Sequence, residues 1–349
     1  MNKIIRVLIV DDSAMIRTIL TDGLSKDPNL EVVGVAADPY IARDKIVELK
    51  PDVLTLDVEM PRMDGLEFLR KLMVQHPIPV VMVSALTERG KRITIEALEA
   101  GAVDFVTKPR ADVARGLNEM MIELRTKVKL AASANVSHYK SRRSDSARVL
   151  AASCALAETT DKIIIIGASA GGTEAIKEVV SRLPATSPGV VLVQHMPEGF
   201  TRMFAERLNT LSPMYVKEAE DGDRAMPGVV LVAPGALQMR IIRSGGIYRV
   251  KCEKGEKVSG HSPSVNVLMH SAASCAGANA VGVILTGMGS DGATGLKAMH
   301  DAGARTIAQD QESCVVFGMP RAAINNGAVD YVLSLEDIPG KVLELFSAR

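Results

Sequence analysis

Four short apolar runs in the first 110 residues each end on a reactive polar residue, and this repetition constrains the fold more than any other feature. The runs are RVLIVDD (6–12), DVLTLD (52–57), PVVMVSA (79–85) and DFVTKP (104–109). Short Val, Ile and Leu runs bounded by turn signals and separated by helical patterns read as buried parallel strands, because a strand covered on both faces has no wet side. In an open α/β sheet the ligand crevice lies just beyond the carboxyl ends of the strands. Asp11, Asp12, Asp57, Ser84 and Lys108 all fall at such ends, so one edge gathers three carboxylates, a hydroxyl and an ammonium.

Three neighbouring carboxylates repel one another unless a cation or protons compensate. Hard oxygen ligands in that number suit Mg²⁺, which keeps several waters and accepts one or two carboxylates plus phosphate oxygens. Asp57 precedes the turn-rich loop Val58-Glu59-Met60-Pro61-Arg62-Met63-Asp64-Gly65, which leaves its carboxylate open. A carboxylate beside a bound cation can attack a phosphoryl donor and form an aspartyl-phosphate. Lys108 would pair with the new dianion and Ser84 would donate a hydrogen bond to it.

At 349 residues the chain has room for two domains, each able to bury its own core. Lys plus Arg and Asp plus Glu balance at 41 each, and aromatics total 3% with no Trp, which argues against a nucleic-acid partner. The first residues form a charged strand, and no apolar run approaches the length needed to span a bilayer. The four cysteines show no CxxC spacing and read as reduced thiols. A cytoplasmic protein without membrane insertion is expected. A Ser-, Ala- and Arg-rich stretch interrupts the alternation and reads as a linker, with Arg142, Arg143 and Arg148 solvated. The expected division is a first domain over 1–128, a linker over 129–158 and a second domain over 159–349.

Beyond the linker a second alternation begins, with strands expected at 162–169, 189–195, 229–234, 279–286, 305–310 and 329–335. The segment 239–252 alternates on both sides of Ser244-Gly245-Gly246 and reads as an antiparallel hairpin. The fold class is therefore α/β, with two doubly wound parallel-sheet domains and a hairpin added to the second. Ser169 stands in Gly167-Ala168-Ser169-Ala170-Gly171-Gly172, directly after a strand. A hydroxyl on a tight strand-to-helix turn among small residues is placed as an exposed nucleophile, with helix N–H groups nearby for an oxyanion. A dinucleotide site would place glycine at this position and an acid at the end of the next strand. That next strand ends at Gln194-His195, which suits a general base. Asp291, in Gly287-Met288-Gly289-Ser290-Asp291-Gly292, reaches the same edge as the third member; a helix cap is its alternative role, and Asp310 is the runner-up.

The first 128 residues resemble the receiver domain of two-component response regulators, through the Asp-Asp pair, Asp57 before MPRMDG, Ser84-Ala85 and Lys108-Pro109. The resemblance implies a flavodoxin-like fold, phosphorylation of Asp57, and Mg²⁺ held by Asp11, Asp12, Asp57 and the backbone carbonyl of Glu59. It makes Ser84 and Phe105 the switch pair, beside Lys108. The rest of the chain resembles the chemotaxis protein-glutamate methylesterases, through GASAGGTEAI, QHMPEGFTRMFAERL, VKEAEDGD, HSPSV, NAVGVILTGMGSDG and SCVVFGMPRAAI. That resemblance implies a Rossmann-like serine esterase with Ser169, His195 and Asp291 as its triad and backbone N–H groups of Ala170 and Met288 as its oxyanion hole. Ala170 stands where the family has threonine; a backbone donor survives that change and a side-chain role does not. His261, in HSPSV, is assigned to the pocket wall and kept out of the triad. The implied substrates are glutamate methyl esters and glutamines on methyl-accepting chemotaxis receptors. The implied phosphodonor is the chemotaxis histidine kinase, and the ester chemistry needs no cofactor. A receiver-linked transcription factor is disfavoured by the second α/β domain and zero net charge; a non-catalytic scaffold is disfavoured by three intact triad positions.

Overall fold

The computed structural model describes residues 3–61, 63–85, 87–109, 113–136 and 161–347. The chain divides into two compact units, Met1–Ser144 and Asp145–Arg349. Positions 137–158 of the expected linker, with its three arginines, lie outside the described residues.

In the first unit, β1 (Ile5–Val10), β2 (Leu30–Ala36), β3 (Val53–Asp57), β4 (Val80–Ala85) and β5 (Asp104–Lys108) form one parallel sheet in the order β2-β1-β3-β4-β5. Helices α1 (Ala14–Leu24), α2 (Pro39–Leu49), α3 (Gly65–Gln75) and α4 (Glu88–Glu99) make the connections, and α5 (Val113–Ala131) follows β5. This is the flavodoxin-like doubly wound order, and its switch point lies between β1 and β3. Asp11 and Asp12, just past β1, therefore meet Asp57, the last residue of β3. The four expected strands are present. β2 was not expected: at the sheet edge, most of LEVVGVA is only half-buried, so it lacks the continuous apolar run of a central strand.

The second unit has a seven-stranded, all-parallel sheet in the order β14-β13-β12-β6-β7-β9-β8. Its strands are β6 (Ile163–Ala168), β7 (Gly189–Gln194), β8 (Tyr215–Glu218), β9 (Val229–Val232), β12 (Ala280–Ile284), β13 (Arg305–Gln309) and β14 (Tyr331–Leu333). Without β8, the series is the Rossmann order 3-2-1-4-5-6 read from β9. Short, half-exposed β8 was the second strand missed, again at an edge. The expected hairpin is β10 (Gln238–Ser244) with β11 (Ile247–Glu253), a separate antiparallel pair. Gly245 and Gly246 take φ of +56° and +87°, the left-handed conformation a two-residue hairpin turn demands.

Helices α6 (Gly172–Val180), α7 (Phe200–Asn209), α8 (Val265–Ala276), α9 (Ala293–Asp301), α10 (Met319–Asn325) and α11 (Ile338–Ser347) complete the unit. The hairpin's Met239, Ile241, Tyr248 and Val250 share one core with Leu268, Met269 and Ala272 of α8. The first turn of α8 lies close against β6. A Cβ built on Gly167 would sit 2.2 Å from Val265 Cγ1, and one on Gly292 2.6 Å from the same atom. Gly167→Ala is expected to push α8 off the sheet and destabilise the protein by about 1–3 kcal/mol, as overpacking does. Chemical denaturation checks this; an unchanged midpoint would contradict the packing.

Candidate active site and phosphoacceptor site

In the first unit the switch point brings one ligand oxygen each from Asp11, Asp12 and Asp57 within 4.8 Å of one another. Lys108 Nζ lies 3.0 Å from Asp11 Oδ2 and 2.9 Å from Asp57 Oδ2. Burial, seconded by the charge on Asp11, pushes the Asp57 carboxyl up to about 6 although Lys108 pulls the other way. Burial acts to lower Lys108, but the two carboxylates outweigh it and hold its pKa above the usual value. The Lys108 ammonium is thus shared by two of the three carboxylates, those of Asp11 and Asp57. Their hard oxygens fit a divalent ion such as Mg²⁺, and the Glu59 carbonyl in the adjoining loop accepts no hydrogen bond among the described residues. A cleft of about 300 Å³, lined by Asp12, Glu59, Met60, Asp64 and Arg89 among others, opens beside this group.

The loop after Asp57 closes back on its own strand. Gly65 N donates to the Val58 carbonyl at 3.0 Å, and a Cβ on Gly65 would lie 2.0 Å from the Asp57 carbonyl oxygen. Asp64 then caps α3 by accepting from Glu67 N at 2.7 Å. Ser84 is held on the α4 side: its hydroxyl lies 2.7 Å from Thr94 Oγ1, and both reach the Gly90 carbonyl, at 3.3 and 2.7 Å. Phe105 is buried, with Lys127 Nζ 5.3 Å from its ring centroid.

In the second unit the switch point falls between β6 and β12. Ser169 follows β6 and His195 follows β7, whose last residues Ala168 and Gln194 are paired. Asp291 lies in the loop after β12 and reaches the same edge. His195 Nε2 and Asp291 Oδ2 are 2.9 Å apart. An ionised carboxylate only accepts, so Nε2 carries the proton and a neutral ring leaves Nδ1 as a bare acceptor. Nδ1 is buried without a hydrogen-bond partner, and Ser169 Oγ makes no hydrogen bond among the described residues.

Asp291 is also a helix cap, though for a helix distant in sequence. Its oxygens accept from Ser264 Oγ at 2.8 Å, Val265 N at 2.7 Å and Asn266 N at 3.1 Å, at the start of α8. The two alternatives from the sequence, triad member and cap, are compatible on one buried carboxylate. Burial would raise its pKa, but the hydrogen bond and charge of His195, with Ser264 and Val265, outweigh it and hold Asp291 below the usual carboxylate value. The runner-up, Asp310, closes its own turn instead, accepting from Ser313 N and Oγ at 2.9 and 2.6 Å.

The Ser169 turn is pinned from two strands. Ser169 N donates to the Thr286 carbonyl at 3.0 Å, and Thr286 Oγ1 donates to the Ala170 carbonyl at 3.0 Å. Gln194 Nε2 donates to the Ser169 carbonyl at 2.9 Å. Ser169 N is therefore occupied, whereas Ala170 N and Met288 N donate to nothing among the described residues.

Residues 164–342 match the family model for CheB methylesterase, and residues 7–116 match that for the response regulator receiver domain. The chain is 61% identical over 351 residues to the protein-glutamate methylesterase/protein-glutamine glutaminase of Syntrophotalea carbinolica, covering 100% of this chain and 99% of that one. The chain belongs to the CheB methylesterase family. To the protein of the same name from Salmonella typhimurium it is 53% identical over 347 residues, covering 99% and 97%. The crystal structure of the Thermotoga maritima CheB methylesterase catalytic domain superposes with a TM-score of 0.52 at 41% identity, covering 53% of this chain and 98% of that one. A CheB-family methylesterase with a receiver domain is thus shown by full-length relatives and by the fold. No described helix is long and apolar enough to cross a membrane.

Sequence reading missed Ser264, Thr286, Gln194 and Thr94. Ser264 carries a usable signal, since Ser before an apolar helical pattern marks a helix start and the residue lies in the HSPSV motif. Gln194 and Thr286 are polar residues in or just past strands and Thr94 lies within α4, and nothing local marks their partners.

Asp291 has a folded pKa below its unfolded one, so its stabilisation is present above the unfolded value of about 4 and is lost as pH falls through the folded one. Asp291→Asn is expected to lower urea stability near pH 7 by roughly 1–3 kcal/mol, with the gap to wild type closing below about pH 4. A gap independent of pH would show that the carboxylate's charge plays no part.

Proposed function

We propose that this chain is a phosphorylation-activated serine esterase that hydrolyses glutamate γ-methyl esters, and deamidates glutamines, on chemotaxis receptors during adaptation. The observation that carries the reading is the His195–Asp291 hydrogen bond of 2.9 Å, placed at the strand ends beside Ser169. The family's full-length relatives, named for these two activities, support the substrate class.

Ser169 Oγ attacks the ester carbonyl while His195 Nδ1 takes its proton, and Asp291 steadies the imidazolium through Nε2–H. The two ring nitrogens thus exchange the roles they have in the trypsin-type triad. Contact between Ser169 Oγ and Nδ1 tightens once substrate is bound, as catalytic hydrogen bonds commonly do. The oxyanion is stabilised by the Ala170 and Met288 N–H groups, which have no acceptor among the described residues, a role that alanine at 170 fills as well as threonine. The C–OCH₃ bond breaks and methoxide leaves as methanol with the proton from His195. Water, deprotonated by His195, then attacks the acyl-serine; Ser169 regains its proton and the glutamate carboxylate departs. With glutamine the same steps release ammonia.

In the receiver, Asp57 is the phosphoacceptor and attacks the phosphoryl group carried by the chemotaxis histidine kinase, whose imidazole leaves. Asp11, Asp12, Asp57 and the Glu59 carbonyl would hold Mg²⁺, which supplies charge neutralisation for the incoming group. Lys108 pairs with the product dianion. Ser84 leaves Gly90 to bond a phosphoryl oxygen, and Phe105 follows as the switch aromatic. The protein is cytoplasmic, has no nucleic-acid partner, and is organised as receiver 1–128, linker 129–158 and catalytic domain 159–349.

Ser169→Ala is expected to reduce methanol release from methylated receptor by on the order of 10³ to 10⁶ while Asp57 still labels with a phosphodonor. Activity within tenfold of wild type removes Ser169 as nucleophile. Asp57→Asn keeps basal hydrolysis and loses stimulation by the phosphodonor, since an amide forms no acyl phosphate. A hydroxylamine-sensitive phosphate label on that variant would place the acceptor elsewhere.

A further inference from the structure

The ring of His261 lies flat on that of His195, with centroids 3.7 Å apart and planes 9° from parallel. Among the described residues the His195 ring is otherwise tied to its neighbours by one hydrogen bond, from Nε2 to Asp291. A ring held at its Cβ and at one nitrogen can still tilt about that contact, and tilting moves Nδ1. A flat partner on one face blocks the tilt without competing for either nitrogen.

His261 is itself held from two sides. It closes a tight turn with Val258, each N–H donating to the other's carbonyl at 3.0 Å across Ser259 and Gly260, both at positive φ. The side chain of Gln238, 1% exposed at the start of β10, fastens that turn. Its Nε2 donates to the carbonyls of Glu256 at 2.9 Å and His261 at 3.1 Å, and its Oε1 accepts from Ser264 N at 2.9 Å. Three residues after His261, Ser264 reaches the carboxylate of Asp291. One short segment, anchored by the hairpin, therefore grips both the face of the imidazole and the carboxylate to which it is bonded.

We propose that His261 is a positioning residue for the esterase reaction: its stacked imidazole fixes the plane of His195 so that Nδ1 stays aimed at Ser169, and Gln238 of the hairpin holds His261 in place. The proposal rests on the triad reading above. The flat face does the work, not a proton at His261, so an aromatic ring without nitrogens substitutes for it.

The test uses full-length protein and four variants, His261→Ala, His261→Phe, His261→Leu and Gln238→Leu. Hydrolysis of methylated receptor is followed together with long-range ¹H–¹⁵N NMR spectra of the histidine rings. His261→Ala and His261→Leu are expected to lose about 10- to 100-fold in kcat with KM within about twofold, the range a small misplacement of a reacting group produces. His261→Phe recovers most of that loss, and Gln238→Leu falls with the first two. In wild type the His195 ring shows one tautomer protonated at Nε2; in His261→Ala and His261→Leu its signals broaden or shift, and in His261→Phe they stay. Equal rates for His261→Phe and His261→Leu, which are both apolar and differ in flatness, overturn the proposal even where His261→Ala fails to fold. Unchanged His195 signals in His261→Leu overturn it as well. Failure of the esterase reading is distinguishable, because wild type would then release no methanol while the ring spectra still report the stack.

Discussion

A carboxylate withdrawn from water stays ionised only where donors replace the solvent it has lost. Asp291 is 1% exposed and meets that condition with an imidazole N–H, a serine hydroxyl and two backbone N–H groups at the first turn of α8. Much of the second unit serves this cluster. Gly167 and Gly292 give Val265 room to bring the helix terminus in, and β12 delivers the Asp291 loop to the edge where β7 delivers His195. The partial positive charge of a helix N-terminus adds to the effect. The same contacts that keep the carboxylate charged also fix its orientation toward His195.

The two units treat a buried aspartate in opposite ways. Asp57 is nearly as buried as Asp291, and burial, joined by the charge on Asp11, pushes its carboxyl up to about 6 against the pull of Lys108. Asp291 is surrounded by donors and is pulled below the usual range. The first environment leaves charge uncompensated and suits a site completed by a cation and a phosphoryl group. The second is complete without any added group, as a carboxylate must be if its task is to hold a neighbouring ring. The difference follows from what faces each carboxyl group, since burial alone pushes both the same way.

The doubly wound topology explains how two unrelated chemistries come to lie at equivalent places. In each sheet, the candidate site gathers at the point where the strand order reverses, β1 against β3 in one and β6 against β12 in the other. No helix covers the strand ends at such a point. The hairpin is the element the topology does not require. Packed on α8 and anchored through Gln238, it fastens the segment that carries His261 and Ser264.

The sequence by itself determined the fold class, the central strands and which polar residues end them, because each of these is written locally. A strand buried on both faces must be continuously apolar, and the polar residue that ends it must lie at the sheet edge. That logic pointed to Ser169, His195 and Asp57, and to Asp291 in the loop after the strand VGVILT, with Asp310 as runner-up. The edge strands β2 and β8 escaped it, because half-exposed strands lack the apolar run. Only the tertiary structure decided which groups meet. His195 and Asp291 are 96 residues apart in the chain, and Asp291 caps a helix that begins 26 residues before it. The choice of Nε2 for the carboxylate, the commitment of Ser169 N to Thr286 and the stacking of His261 on His195 depend on crossovers that bring distant strand ends together. No local pattern encodes such pairings, since the partner of a polar side chain is set by the packing of elements far along the chain.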